Sequence, residues 1–421
     1  MTGISRRTIL SSAVSATLAM PTACSPPPEA SRPTAPNTAT NEPTPAPSKG
    51  GRPTSDGNLI GDGSTANTGP QPNQPKAERL KAGERPPQFV VFSWDGAGAT
   101  ADGGQFARFL KIGREYKASM TFFLSGIYLL PESKKALYHP PRHRVGESDI
   151  GYLTDQHIHD TLELLGTAWR DGHEIGTHFN GHFLSGRSDG NGVGKWTSAE
   201  WEAEIEQVMA FVMNWRTHTG FADLPPLPFD YRKELIGGRT PGLEGQKALL
   251  PAAVKLGWRY DASSPGQRQI WPQKVLNGKI WDLPLQTLPF PGRGFETLSM
   301  DYNIMANQSD AGPKGDPAKY DAWRIQARDC YLAGFNRAYE GNRAPLFIGN
   351  HFQQWNGGIY MDAVEQTIKA IADKPDVRLV SFRQLVDWLD TQDESTLRKL
   401  RTLGVGQAPT AGWKQFLDTV G

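Results

Sequence analysis

The feature that most constrains the fold is a pattern that begins at Gln88, where short apolar runs alternate with longer amphipathic stretches. Such alternation is typical of βα units, in which helices connect parallel strands and cover the sheet. We predict strands at residues 89–94, 119–124, 174–177, 258–260, 279–283, 346–349 and 377–382. The pattern therefore predicts an α/β fold on a parallel sheet.

Helix signals between these runs support this prediction. Thr197 and Glu200 have the spacing of a capping box, and Trp201, Ile205 and Val208 begin an apolar stripe at helical spacing. We predict a helix over residues 198–217.

Polar side chains follow four of the predicted strands. Asp95, His178, Asp261 and His351 each stand just past the end of an apolar run. In barrels of parallel strands this end carries the active site, so we expect the four residues to share one site.

The stretch GHEIGTHFNGH, residues 172–182, supplies three histidines beside glycines. His178 and His182 are four residues apart, a spacing at which two imidazoles can converge on one metal ion. His173 is predicted to be structural. A third ligand has to come from elsewhere in the chain.

Together these motifs resemble the polysaccharide deacetylases, metal-dependent carbohydrate esterases related to chitin and peptidoglycan deacetylases. The resemblance extends over roughly residues 88–390. It implies a distorted (β/α) barrel of about seven parallel strands, a polysaccharide substrate and hydrolysis of an N-acetyl group on an amino sugar. It also implies one divalent metal ion, expected to be zinc, with cobalt, nickel or manganese as alternatives.

The resemblance assigns the metal ligands residue by residue. GHEIGTHFNGH matches the metal-binding motif of the family, which makes His178 and His182 ligands. Asp95, in the sequence FSWDG, falls where the first motif of the family has its metal-binding aspartate. The family has a second aspartate just before it as general base, and this chain has Trp94 there, whose indole cannot take a proton from water. Asp301 and Asp102 are the candidate replacements.

The resemblance also suggests residues that line the groove. Arg239 and Pro241 resemble the Arg-x-Pro wall of the family, whose arginine orients the base aspartate, and His351 falls where a histidine acts as general acid toward the leaving amine. The resemblance therefore implies that Arg239 and His351 are catalytic residues, together with Asp301. We expect Trp94, Pro241 and Trp355 to contact the substrate.

The predicted function is a metal-dependent hydrolase that removes acetyl groups from an N-acetylated cell-wall or chitin-like polysaccharide. Two alternatives remain open. One is an esterase that cleaves O-acetyl groups on wall polymers, for which a missing base matters less because the leaving group is better. The other is a glycan-binding relative with weak or no turnover.

The N-terminal residues predict export. Arg6 and Arg7 precede an apolar run over residues 9–20, which resembles a twin-arginine signal. Cys24 resembles a lipidation site, although Pro21 departs from the usual leucine and an ordinary signal-peptidase cut is the alternative. We therefore expect a secreted protein or a surface lipoprotein, with residues 1–24 as the signal.

The rest of the chain divides by composition. Residues 25–87 are rich in Pro, Ser and Thr and poor in large apolar residues, which predicts a disordered linker. Residues 88–392 form the predicted catalytic domain, and residues 393–421 a helical tail. The net charge of +1 argues against nucleic acid as a partner. We expect a monomer that meets a membrane only through a lipid at Cys24.

Overall fold

The structure, a computed structural model, describes residues 57–100, 104–186 and 189–418, which form an α/β fold. The strands are β1 Asn58–Ile60, β2 Thr65–Asn67, β3 Gln88–Ala97, β4 Thr121–Leu124, β5 Glu174–Thr177, β6 Tyr260–Asp261, β7 Gln273–Val275, β8 Ile280–Asp282, β9 Thr287–Pro289, β10 Glu296–Leu298, β11 Leu346–Asn350 and β12 Val377–Leu379. The helices are α1 Gln105–Tyr116, α2 Asp155–Arg170, α3 Ser198–Met213, α4 Trp215–Thr219, α5 Tyr231–Glu234, α6 Gln246–Lys255, α7 Asp301–Ser309, α8 Tyr320–Glu340, α9 Ile359–Ile371, α10 Phe382–Thr391, α11 Glu394–Leu400 and α12 Gly412–Phe416.

A five-stranded parallel sheet forms the centre of the fold. Its order is β11-β3-β4-β5, and β12 also pairs with β3. The central strand β3 is buried along nearly its whole length, because helices or other strands cover both faces of a parallel sheet. The predicted α/β class with a parallel sheet is confirmed, and each of the seven predicted strands overlaps an observed one.

Further pairings extend this sheet at both edges. Thr177 of β5 bridges Gly238 in parallel, and Gly349 of β11 bridges Met300 in parallel. Strands β6, β8 and β7 form a separate three-stranded sheet. Closure of all these strands into a seven-stranded barrel stays a prediction.

Side chains of β3 alternate between two hydrophobic clusters, as the pleat of a strand requires. Phe92 and Trp94 belong to the larger cluster, which also contains residues of α1 and α9, whereas Val91 belongs to the smaller one. Ser93 and Asp95 therefore lie on the same face of β3 as Val91, and Trp94 lies on the opposite face.

The predicted disordered linker is wrong for residues 57–87. Here β1 and β2 form an antiparallel hairpin, and the backbone amide of Ala66 donates to the carbonyl of Leu227. Trp215 donates its indole N–H to the carbonyl of Ser64, and Leu80 is buried. The segment lacks a core of its own, but backbone and side-chain hydrogen bonds attach it to a surface that is already folded.

The C-terminal segment contains the short helices α11 and α12 and packs on the fold. Leu397 and Leu400 of α11 and Leu417 after α12 are buried in the smaller cluster. In the described ranges, no helix is long and apolar enough to cross a membrane. The predicted export signal, Cys24 and Asp102 lie outside the described residues.

Candidate functional site

Residues predicted for the site meet at the carboxyl ends of parallel strands. Asp95 lies near the end of β3, His178 follows β5 and His351 follows β11. Their titrations are coupled, since a protonated His178 or His351 would lower the pKa of Asp95. The parallel direction of the three strands is what brings these three side chains together.

Asp95 is held by a buried arginine. Nη1 of Arg239 donates to Asp95 Oδ1 at 2.8 Å and to Ser93 Oγ at 2.9 Å, and Nε donates to the carbonyl of Ala262 at 3.0 Å. Burial alone would raise the pKa of Asp95, but the ion pair and hydrogen bond with Arg239 act against it, and the pKa is lowered. Asp95 is therefore ionised, as a metal ligand must be.

The second amino group of Arg239, Nη2, is buried and has no hydrogen-bond partner among the described residues. This is notable because a guanidinium can hold two carboxylate groups at once. Here it holds one carboxylate and one hydroxyl group.

The two histidines of GHEIGTHFNGH lie side by side. The ring centroids of His178 and His182 are 5.1 Å apart. Nδ1 of His178 donates to the carbonyl of Arg239 at 2.8 Å, which leaves the lone pair on Nε2 for a ligand. Burial lowers the pKa of both histidines, that of His182 to about 3, so both rings are neutral.

One carboxylate and two neutral imidazoles are a donor set that suits zinc and related ions, and the hydrogen bond on His178 is typical of a metal ligand. The ligand atoms of Asp95, His178 and His182 are not grouped as closely as those of two other sets. In the part of the chain that the structure describes, the sets with all ligand atoms within 4.8 Å of one another are His143, Glu147, Asp189 and His159, Asp160, Glu163. Asp95, His178 and His182 are not among these sets, although their donor atoms suit a metal ion chemically.

His351 is fixed by Asp301. Nδ1 of His351 donates to Asp301 Oδ1 at 2.8 Å, and the backbone amide of His351 donates to Oδ2 at 2.7 Å. Burial disfavours the charged ring, but the Asp301 carboxylate outweighs it and raises the pKa of His351. Asp301 is fully buried, and its Oδ1 also accepts the backbone amide of Tyr302 at 2.7 Å. Its predicted role as a replacement base is not supported, because the side chain is shielded from solvent and its carboxylate orients His351.

The predicted substrate contacts have different environments. Trp94 is fully buried, with its ring centroid 4.6 Å from that of Phe109 and 5.4 Å from that of Phe122, so its predicted contact with substrate is wrong. Pro241 is also buried, at the start of a short 3₁₀ turn, and offers no exposed face. Trp355 is half-buried with its ring centroid 5.1 Å from that of His351, which is compatible with a substrate contact.

Asp261 lies near Arg239 and is not grouped with the histidines. It accepts a hydrogen bond from Ser263 at 2.6 Å, and Arg239 and Asp282 are its charged neighbours. Burial raises the pKa of Asp261 to about 7. The expectation of one site shared by all four residues is met by Asp95, His178 and His351 only.

Sequence reasoning missed two residues that support the site. Glu204 on α3 and Tyr138 are fully buried and bind the turn between the two histidines. The signal was in the sequence, because Glu204 falls inside the apolar stripe of the helix, three residues after Trp201 and four before Val208. A carboxylate on the buried face of a helix needs partners.

No family model and no curated protein sequence matches this chain. Among solved structures it is similar to a protein from Mycobacterium smegmatis described as a polysaccharide deacetylase, with 16% identity over 74% of this chain and 94% of that chain and a TM-score of 0.41. A family 4 carbohydrate esterase from Streptomyces lividans gives 13% identity, coverage of 68% and 90%, and a TM-score of 0.33. A CE4 family pseudoenzyme from Bacillus anthracis gives 9% identity, coverage of 73% and 66%, and a TM-score of 0.37.

Proposed function

We propose that this chain is a metal-dependent hydrolase of the polysaccharide deacetylase type, which removes the acetyl group from an N-acetylated sugar in a polysaccharide. One observation carries the proposal. A low-pKa carboxylate and two neutral histidines lie beside a separate histidine whose pKa is raised by its own aspartate. Neighbouring groups whose pKa values are moved in opposite directions are typical of sites that carry out acid–base chemistry.

Asp95, His178 and His182 would hold the ion. When bound, a divalent ion supplies a Lewis acid for the acetyl carbonyl and lowers the pKa of a water molecule. Arg239 keeps Asp95 ionised and oriented, and its own carbonyl group keeps the Nε2 lone pair of His178 available. The barrel implied by the resemblance is supported by the parallel bridges that extend the central sheet at both edges.

His351 acts on the leaving group. Its raised pKa favours the imidazolium form, in which Nε2 carries a proton while Nδ1 stays bonded to Asp301. As the carbon–nitrogen bond breaks, Nε2 donates this proton to the departing amine, which would otherwise leave as an unstable anion. Asp301 keeps the ring in place and compensates its charge.

Proton removal from the attacking water has no dedicated carboxylate among the described residues. Trp94 faces the core, Asp301 is committed to His351, and Asp95 is paired with Arg239. A general base usually contributes about 10²–10⁴-fold to the rate, so we expect slow turnover.

This observation favours O-acetyl esters as a second candidate substrate. An alkoxide leaves more readily than an amide nitrogen, so weak activation of water costs an esterase less rate. Acetate release from O-acetylated and N-acetylated oligosaccharides of equal length decides between the two. Faster release from the ester would favour the second candidate.

The test of the function is acetate release from N-acetylated chito-oligosaccharides by the chain with and without added zinc or cobalt. We expect metal-stimulated release that His178→Ala abolishes. His159→Ala is the matched control, because His159 belongs to a different cluster on α2 and should leave the rate unchanged. Equal release by the chain and the His178→Ala variant would overturn the proposal.

A further inference from the structure

Two buried side chains, those of Glu204 and Tyr138, accept hydrogen bonds from the turn that separates His178 from His182. Glu204 Oε1 accepts the backbone amide of Asn180 at 3.1 Å and the hydroxyl of Tyr138 at 3.0 Å. The hydroxyl oxygen of Tyr138 in turn accepts the backbone amide of Gly181 at 2.9 Å. Two consecutive amides of the turn are thus fixed to α3 and to the chain segment around residue 138.

We propose that Glu204 and Tyr138 are positioning residues that set the distance and orientation between His178 and His182, and through them the affinity of the site for a divalent metal ion. This inference rests on the proposed function, since it concerns the same histidines. Neither residue is one of the proposed metal ligands.

The backbone of this turn needs external support. Phe179 has a φ of 61° and His182 a φ of 58°, in the left-handed region that residues with a Cβ atom rarely occupy. Such conformations persist only where the surroundings enforce them, and they concentrate at functional sites. Asn180 and Gly181 lie between Phe179 and His182. Their backbone amides donate to Glu204 and Tyr138 respectively.

Close packing shows that the contact leaves little freedom. A Cβ atom on Gly181 would lie 2.8 Å from the hydroxyl oxygen of Tyr138, so only glycine allows the approach. A Cβ atom on Gly126 would lie 2.4 Å from Asn180 Oδ1. Asn180 also donates its side-chain N–H to the backbone carbonyl of Glu204 at 3.3 Å.

A purely structural role explains Glu204 less well. Its side chain is fully buried, and Oε2 has no hydrogen-bond partner among the described residues. A buried carboxylate with an unpaired oxygen costs folding free energy, and a leucine would fill the same face of α3 without that cost. What the carboxylate provides and a leucine does not is an acceptor for Asn180 and Tyr138.

The experiment measures the dissociation constant for Zn²⁺ by competition with a chromophoric chelator, for the whole chain and four variants. Glu204→Leu and Tyr138→Phe remove the hydrogen bonds to the turn, and we expect both to weaken zinc binding about tenfold or more, as is usual for residues that orient metal ligands. Glu204→Gln keeps an acceptor oxygen, and we expect a dissociation constant within about threefold of the unaltered chain.

Thr197→Ala separates positioning from general destabilisation. It removes the N-cap of α3, the helix that carries Glu204, without touching the turn. We expect a lower Tm and an unchanged dissociation constant for this variant. If Glu204→Leu does not fold, as judged by circular dichroism, Tyr138→Phe carries the test alone.

The outcomes are distinct. Unchanged zinc affinity in Tyr138→Phe and Glu204→Leu would overturn the positioning role, as would a loss in Glu204→Gln equal to that in Glu204→Leu. Absence of zinc binding by the unaltered chain would overturn the proposed function, and the positioning role with it.

Discussion

The alternation of side chains between the two faces of β3 determines which residues of this strand face the candidate site. Ser93 and Asp95 both bind Arg239, whereas Trp94 between them packs against Phe109 and Phe122. The family resemblance aligned Trp94 with a catalytic aspartate, but alignment in sequence does not tell which face of the strand a side chain takes. A carboxylate at residue 94 would point away from the histidines.

We therefore predict that Trp94→Asp does not create a general base. The variant would place an unpaired carboxylate in an aromatic cluster and lose the packing of the indole, which should cost about 3–5 kcal/mol of unfolding free energy. Thermal unfolding and acetate release, with Trp94→Phe as the packing control, check this. A stable Trp94→Asp variant with faster release would contradict the account.

The pair of His351 and Asp301 predicts a pH dependence. A general acid works only while protonated, so activity should fall as the pH rises through the raised pKa of His351. Asp301→Asn removes the carboxylate that raises this pKa, and the fall should then occur at lower pH. The profile of kcat/KM against pH measures it, and an unshifted alkaline limb would exclude Asp301 from this role.

Among the elements, α3 shows what the sequence could and could not predict. The capping box of Thr197 and Glu200 is confirmed, because both of its hydrogen bonds depend on residues three apart in the chain. The partners of Glu204 were out of reach, since Tyr138 and Asn180 are brought to it only by tertiary packing. The strands could also be predicted, because their apolar runs are local in sequence. The metal ligands could be assigned only through the resemblance to a family motif.

Glu204 also predicts how stability depends on pH. Burial raises its pKa from 4.5 to about 7 in the folded chain. Below pH 4.5 both states keep the proton. Between these two values the unfolded state loses its proton while the folded state retains it, so the free energy of unfolding falls as the pH rises, by up to about 3 kcal/mol.

Glu204→Gln should remove this part of the pH dependence. Urea unfolding at several pH values from 4.5 to 8 gives the free energy of unfolding for both chains. We expect the variant to gain stability relative to the unaltered chain as the pH rises. Parallel curves would show that Glu204 does not titrate in this range.

At the scale of the whole molecule, the folded part begins earlier than composition indicates. Residues 57–87 have few large apolar side chains, which is why the sequence predicts disorder, yet they supply acceptors and donors to the rest of the fold. Trp215 and Gln392 hydrogen-bond to Ser64 and Leu80 respectively. Composition measures what a segment can bury alone and does not register docking onto another surface.

A chain that starts at residue 88 should therefore be less stable than one that starts at residue 57. Loss of the segment leaves the buried indole N–H of Trp215 without its acceptor and exposes the surface under Leu80, which together should cost about 3 kcal/mol or more. Chemical denaturation of the two truncated chains gives the difference. Equal stability would restore the linker interpretation for residues 57–87.

The central claim is that Asp95, His178 and His182 hold one metal ion while His351 acts separately as the acid. Its most direct test is the metal content per chain after zinc loading, measured together with acetate release. We predict one ion per chain in the unaltered protein and in His351→Ala, and loss of that ion in His178→Ala and His182→Ala, with release lost in all three variants. An ion retained by His178→Ala and His182→Ala, or lost from His351→Ala, would contradict the account.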